Sequence, residues 1–530
     1  MKRMIGRWML AAAAAGLAMT SSAAMAGWSK ATTRHFVIYS DQSPAELQAY
    51  ATRLEKFDQA VRFARGVGDP EPIRANKLQL FAVRNLPEIA SIYGGSGVGG
   101  FYVHQAGSNV AFVPLDTDPD TRLDLTADNV FFHEYAHHLM YENMVTVMPM
   151  WLSEGFAEFF STAKFEADGS VGLGAPAAHR AEILLTKLYA PLPTDIMVGG
   201  SWKQLRNYYG VELYGRGWLL VHYLTFNAAR KGQLDTYVAG LRAGKPAMTA
   251  ARDAFGDLKR LHSELDQYVR QTRFPYVTVP ASKLTVAAPV IEPLSAGESA
   301  MMGVSMMSRS GVSLERTGGV ATAARTIAAR YPGDVAVRVA LAEAELDDER
   351  YDAAIAAADQ ALALQPNSIP ALLVKGRTIV ERHVTGKQAA DWPAARALFL
   401  KANRADPEDP RPLIHYHRTF EEAGQTPTKD ASEGLAYALE LSPADRRLRW
   451  AMVRDYVRQG KAKEAADTLA PLAYAPHGGK DVERLNAILD ALEGNNLGSA
   501  TQLIAEDRKR EDEELAKARR KAGKPVAMVR

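Results

Sequence analysis

The run Arg34-His35-Phe36-Val37-Ile38-Tyr39-Ser40 is β-branched and aromatic and predicts a strand. The rhythm then lengthens. From Ser43 to Arg65, the apolar residues Leu47, Tyr50, Leu54, Phe57 and Val61 fall at helical spacing and predict an amphipathic helix. Lys77 to Val83 alternates like a second strand. Gly99 to Val103 and Asn109 to Val113 flank Ala106-Gly107-Ser108 and predict a hairpin. Asn129-Val130-Phe131-Phe132, with Leu139 and Met140, marks a buried helix. A second helix is predicted from Met150 to Phe160, after the break at Met148-Pro149. The pattern is mainly helical from Ala177 to Thr272 and ends at Phe274-Pro275.

Residues 276–312 change character. Valine, threonine and proline over Val277–Val290, then polar and methionine-rich sequence near Gly303–Gly311, predict a linker with one short strand pair. Arg350 to Asn367 then resembles the second helix and closing turn of a tetratricopeptide (TPR) repeat. Prolines close comparable helices at Pro332, Pro366, Pro407, Pro443 and Pro476, with separations of 34, 41, 36 and 33 residues, close to the TPR period. Such helical pairs bury their apolar faces only by stacking, which predicts a solenoid with a concave surface for a protein partner. The end of the chain, Glu506 to Lys521, reads as a solvated mixed-charge helix.

At the other end, Lys2, Arg3 and Arg7, the apolar run Met9–Met19 and the small-x-small site Ala24-Met25-Ala26 predict a signal peptide cleaved after Ala26. No later segment reaches the length of a membrane span. Absence of cysteine excludes disulfides and thiolate metal sites and fits export to a bacterial periplasm. A formal net charge of +2 gives no sign of a nucleic-acid partner. The expected organisation is a signal peptide (1–26), an α+β domain (27–275), a linker (276–312), helical repeats (313–495) and a charged C-terminal helix (496–530).

The chemistry concentrates in His133-Glu134-Tyr135-Ala136-His137 and Trp151-Leu152-Ser153-Glu154-Gly155-Phe156-Ala157-Glu158. Residues four apart share a helix face, so His133 and His137 aim at one point. Two imidazoles and a carboxylate from a second helix, Glu154, make a three-ligand zinc site with one position left for water. Glu134 follows the first ligand, where a carboxylate reaches metal-bound water. His138 points about 100° away from His137 on an ideal helix and falls outside the ligand set. His222, in an apolar helical run, reads as a packed histidine.

These residues resemble the gluzincin metallopeptidases, the clan of thermolysin and aminopeptidase N, whose pattern is HExxH with a downstream glutamate, often within W-L-x-E-G-x-A. The resemblance implies an α+β zincin-like domain, one Zn2+ per chain on His133, His137 and Glu154, Glu134 as general base, and a peptide or protein substrate. It implies that Glu158 hydrogen-bonds a ligand histidine. On residues alone Glu158 also reads as a surface carboxylate of an amphipathic helix. Sixteen residues (154 − 137 − 1) separate His137 from Glu154, fewer than in aminopeptidase N, and the closer match is the bacterial peptidase MA-like group. Tyr214-Gly215-Arg216-Gly217 is similar to an aminopeptidase N segment whose tyrosine donates to the oxyanion. Tyr214 is therefore either that donor or a core tyrosine at a helix start, with Tyr208 and Tyr209 weaker candidates. In gluzincins an edge strand beside the zinc helix pairs with extended substrate, a role open to Gly99–Val103 or its partner through Val113. Two functions follow: an active zinc peptidase carrying a protein-interaction region, or a TPR scaffold whose peptidase-like domain is inactive or nearly so.

Overall fold

The computed structural model describes residues 27–69, 77–96, 98–103, 106–107, 109–117, 125–143, 148–185, 192–200, 202–205, 211–386, 388–443, 445–473 and 482–523. The expected signal peptide, Tyr208, Tyr209 and Pro476 lie outside them.

Six strands form the main sheet: β1 (Ser29–Thr32), β2 (Phe36–Ser40), β3 (Leu78–Asn85), β4 (Phe101–Val103), β5 (Val110–Asp116) and, from far along the chain, β9 (Val290–Pro293). Their order is β4-β5-β3-β2-β1-β9. β2, β3 and β5 run parallel, while β4, β1 and β9 pair antiparallel with their neighbours. The parallel β2–β3 pair needs a crossover. That crossover includes α1 (Pro44–Arg65), started by a reciprocal Ser43–Glu46 capping box and stopped by Gly66 in the left-handed region (φ 61). The predicted hairpin forms as β4–β5, and β4 takes one edge of the sheet, β9 the other.

α2 (Leu86–Tyr93) lies on one face of the sheet; α3 (Ala127–Asn143) and α4 (Met150–Ser161) pack with α1 on the other. Phe36, Phe57, Phe131, Phe132, Tyr135 and Trp151 are fully buried in the shared core. A second sheet joins β6 (Lys164–Phe165), β7 (Val171–Leu173) and β8 (Val277–Val279). Helices α5 (Ala181–Leu185), α6 (Thr194–Gly199), α7 (Trp202–Leu205), α8 (Val211–Phe226), α9 (Gln233–Arg242), α10 (Ala247–Phe255) and α11 (Leu258–Tyr268) complete this half.

Residues 276–312 are not a linker. β8 and β9 do not pair with each other; each adds to a sheet of the N-terminal half. They are followed by α12 (Ala296–Ser310), capped by Ser295. Its methionines face two ways: Met302 and Met306 pack with Phe81, Ile89 and Phe112, and Met301 packs with the first repeat. An unbranched, polarisable side chain suits such irregular seams, so the methionine-rich stretch is a helix and not a flexible tether.

The solenoid continues through α13 (Thr317–Arg330), α14 (Val335–Asp347), α15 (Tyr351–Leu364), α16 (Ile369–Val384), α17 (Trp392–Ala405), α18 (Pro410–Glu422), α19 (Lys429–Leu441), α20 (Arg446–Arg458), α21 (Ala462–Ala473) and α22 (Val482–Glu493). Pro332, Pro366, Pro407 and Pro443 each follow the end of an odd-numbered helix. Each helix packs on the next, and α12, α14, α16 and α18 also touch in series, so they form the closely spaced inner row. The last helix, α23 (Leu497–Lys521), is more than a solvated tail: Asp507 and Arg519 are buried. Arg519 meets Glu349, beyond α14, with both nitrogens at 2.6 and 2.8 Å. Among the described residues no helix is long and apolar enough to cross a membrane.

Candidate metal centre

α3 brings His133 and His137 to one face, and α4 carries Glu154 against them, buried in a helix that is mostly aromatic and aliphatic. The Nε2 atoms of the two histidines are 3.2 Å apart, and Glu154 Oε2 lies 3.3 Å from that of His133 and 3.4 Å from that of His137. Three donors bound tetrahedrally at zinc distances stand about 3.3 Å from one another, so the triangle has the edges such an ion needs. No ion is part of the structure; the fit rests on this donor set.

Each imidazole is held from its other nitrogen. His137 Nδ1 is 3.3 Å from Ser153 Oγ, and His133 Nδ1 is 3.3 Å from Glu158 Oε1. Such contacts fix ring orientation and leave Nε2 for the centre. Glu158 is thus a buried partner of His133, not a surface carboxylate. It also meets His179 Nε2 at 2.8 Å and Arg180 Nη2 at 2.6 Å, two residues the sequence pattern did not single out.

Electrostatics favour a cation at the triangle. Burial opposes charge on His133, but Glu154 and Glu158 outweigh it and raise its pKa to about 10. Burial likewise opposes charge on the two glutamates, yet His137 and His133 hold Glu154, and His133, His179 and Arg180 hold Glu158, below the ordinary carboxylate range. Glu134, half-buried, sits one residue after His133 on the same helix.

Tyr214, near the start of α8, stacks on the His133 ring with centroids 5.7 Å apart, and the Arg180 guanidinium lies 5.1 Å from the centre of the Tyr214 ring. Tyr214 therefore belongs to the site's surroundings. His222 does not: it is buried between Tyr268 (2.8 Å) and the Pro275 carbonyl (3.0 Å), and burial lowers its pKa to about 4. His138 turns to Tyr102 Oη, 3.0 Å away, and so ties edge strand β4 to α3.

His35, Glu55 and Asp58 also converge. That group carries its own countercharge, because Arg62 Nε lies 2.9 Å from both Asp58 oxygens. Tyr135 of α3 donates to Asp58 at 2.8 Å, which makes the cluster a buried ionic network behind α3.

No family model matches the chain, and no curated protein matches it. Among solved structures the chain is similar to a thermophilic TPR protein of Thermus thermophilus, with 18% identity, 37% of this chain and 98% of that chain covered, and a TM-score of 0.31. It is also similar to MamA AMB-1 (19% identity, 32% and 94% covered, TM-score 0.25) and MamA MSR-1 (20% identity, 35% and 92% covered, TM-score 0.24). The TPR-like solenoid is defined by the chain's own helix pairing.

Proposed function

We propose that this chain is an exported zinc-dependent peptidase that carries a TPR-like region for a protein partner. The observation that supports it most is the His133–His137–Glu154 triangle, with Glu134 one residue after His133 on α3. A zinc ion there would supply Lewis acidity toward a water and a scissile carbonyl. Glu134 takes the proton of the attacking water and returns it to the leaving amine, so that amide and water become acid and amine. Tyr214 donates its hydroxyl proton in a hydrogen bond to the developing oxyanion. Edge strand β4 lies at one end of the sheet order, where an extended peptide could add alongside it, a mode that asks little of the substrate's side chains.

A second reading is a protein-binding scaffold with a peptidase-like domain that hydrolyses little; the continuous inner helix row favours it. One experiment separates the two: metal analysis of the purified chain with an unbiased peptide-library digest. An active peptidase contains one zinc, loses it in His137→Ala, and keeps it in Glu134→Gln while hydrolysis falls by several orders of magnitude. Zinc retained in His137→Ala would refute the ligand set. Zinc bound without any cleavage would leave the scaffold.

A further inference from the structure

Arg180 closes a short 3-10 turn, Ala178–Arg180, and its side chain reaches between two helices. On one side it meets Glu158 of α4, the carboxylate that holds His133. On the other its guanidinium lies over the ring of Tyr214 on α8. Tyr214 in turn stacks on His133, which closes a loop of four side chains: Arg180, Glu158, His133 and Tyr214. His179 takes the second oxygen of Glu158, so that carboxylate is fixed at both ends.

We propose that Arg180 is a positioning residue that sets the metal ligand His133 through Glu158 and the oxyanion donor Tyr214 through its ring face. This rests on the metallopeptidase reading above. A planar guanidinium suits both tasks at once: its N–H groups meet a carboxylate while its face lies on an aromatic ring. Lysine retains only the first, as a point charge on a flexible stem. The two tasks therefore come apart in a conservative variant, and a residue that merely fills space shows no such separation.

The test is zinc affinity by competition with a chelator, the absorption spectrum of the cobalt-substituted protein, and steady-state cleavage of the peptide that wild type cuts fastest. R180A should bind zinc about 10- to 100-fold more weakly and shift the cobalt spectrum. R180K should bring zinc affinity back to near wild type, yet keep a kcat about tenfold low with KM unchanged. If R180A does not fold, R180Q takes its place. Wild-type zinc affinity and an unaltered spectrum in R180A (or R180Q) overturn the inference and leave the metal site standing. A loss that R180K does not restore assigns Arg180 to packing and overturns it as well. Wild-type protein that binds no zinc overturns the metallopeptidase reading itself and takes this inference with it.

Discussion

Gly155 and Gly217 bring the backbones of α4 and α8 into contact. A Cβ on Gly155 would stand 2.5 Å from the Gly217 carbonyl oxygen, and one on Gly217 would stand 2.7 Å from that of Trp151. The crossing lies one residue after Glu154 and three after Tyr214, so it fixes how closely the helices that carry these two residues approach.

Gly155→Ala should therefore lower both stability and metal affinity. The added methyl meets backbone, which cannot swing aside, and overpacking of this kind costs about 1–3 kcal/mol. Thermal melts with and without zinc measure it. An unchanged melting temperature would mean that the helices separate freely and that the crossing does not set the site.

On the proposed role of Tyr214 as oxyanion donor, Tyr214→Phe should reduce kcat about a hundredfold with little change in KM, because such a hydroxyl acts only in the transition state. Its ring remains to stack on His133 and under Arg180, so zinc content should be preserved. A normal kcat would return Tyr214 to a packing role.

The network behind α3 predicts a pH dependence of stability. Burial works against charge on His35, but Glu55 and Asp58 overcome it and its pKa is raised. A raised pKa in the folded state stabilises fully below the unfolded value of about 6.5 and ceases to do so as pH rises through the folded value. His35→Gln should thus flatten the fall of melting temperature with pH above about 6.5, measured on metal-free protein. An identical slope in the variant would remove His35 from the account.

Truncation at residue 280 should leave an unstable fragment, whereas truncation at 310 should do better. The shorter piece lacks β9, the partner of β1, and Met302 and Met306, which cover Phe81, Ile89 and Phe112. Even the longer one loses solenoid contacts at the β4–β5 hairpin, where a Cβ on Gly107 would stand 2.6 Å from Arg411 Cδ. Limited proteolysis and zinc binding of both fragments decide it. Equal resistance in the two would restore a boundary before 280.

Much of this arrangement was written locally. The i,i+4 pair His133 and His137, the capping box at Ser43 and Glu46, and the helix-closing prolines follow from short-range geometry, so their elements and spacing are legible without a fold. Glu154 was legible because its helix carries a distinctive run of aromatics and small residues. His179 and Arg180 were not, because their partner Glu158 lies 21 and 22 residues away and no periodicity connects a turn to a helix across that gap. Residues 276–312 misled for a related reason. Valine, proline and methionine look like a tether in isolation and become strand and helix only when β1 and the Phe81 cluster offer a surface to complete. Sequence alone determined which residues are suited to hold a cation and how the helices repeat. Which strands end the sheet, which carboxylate braces which histidine, and where α23 ends against Glu349 were decided by tertiary packing, since each joins groups whose separation along the chain carries no local signal.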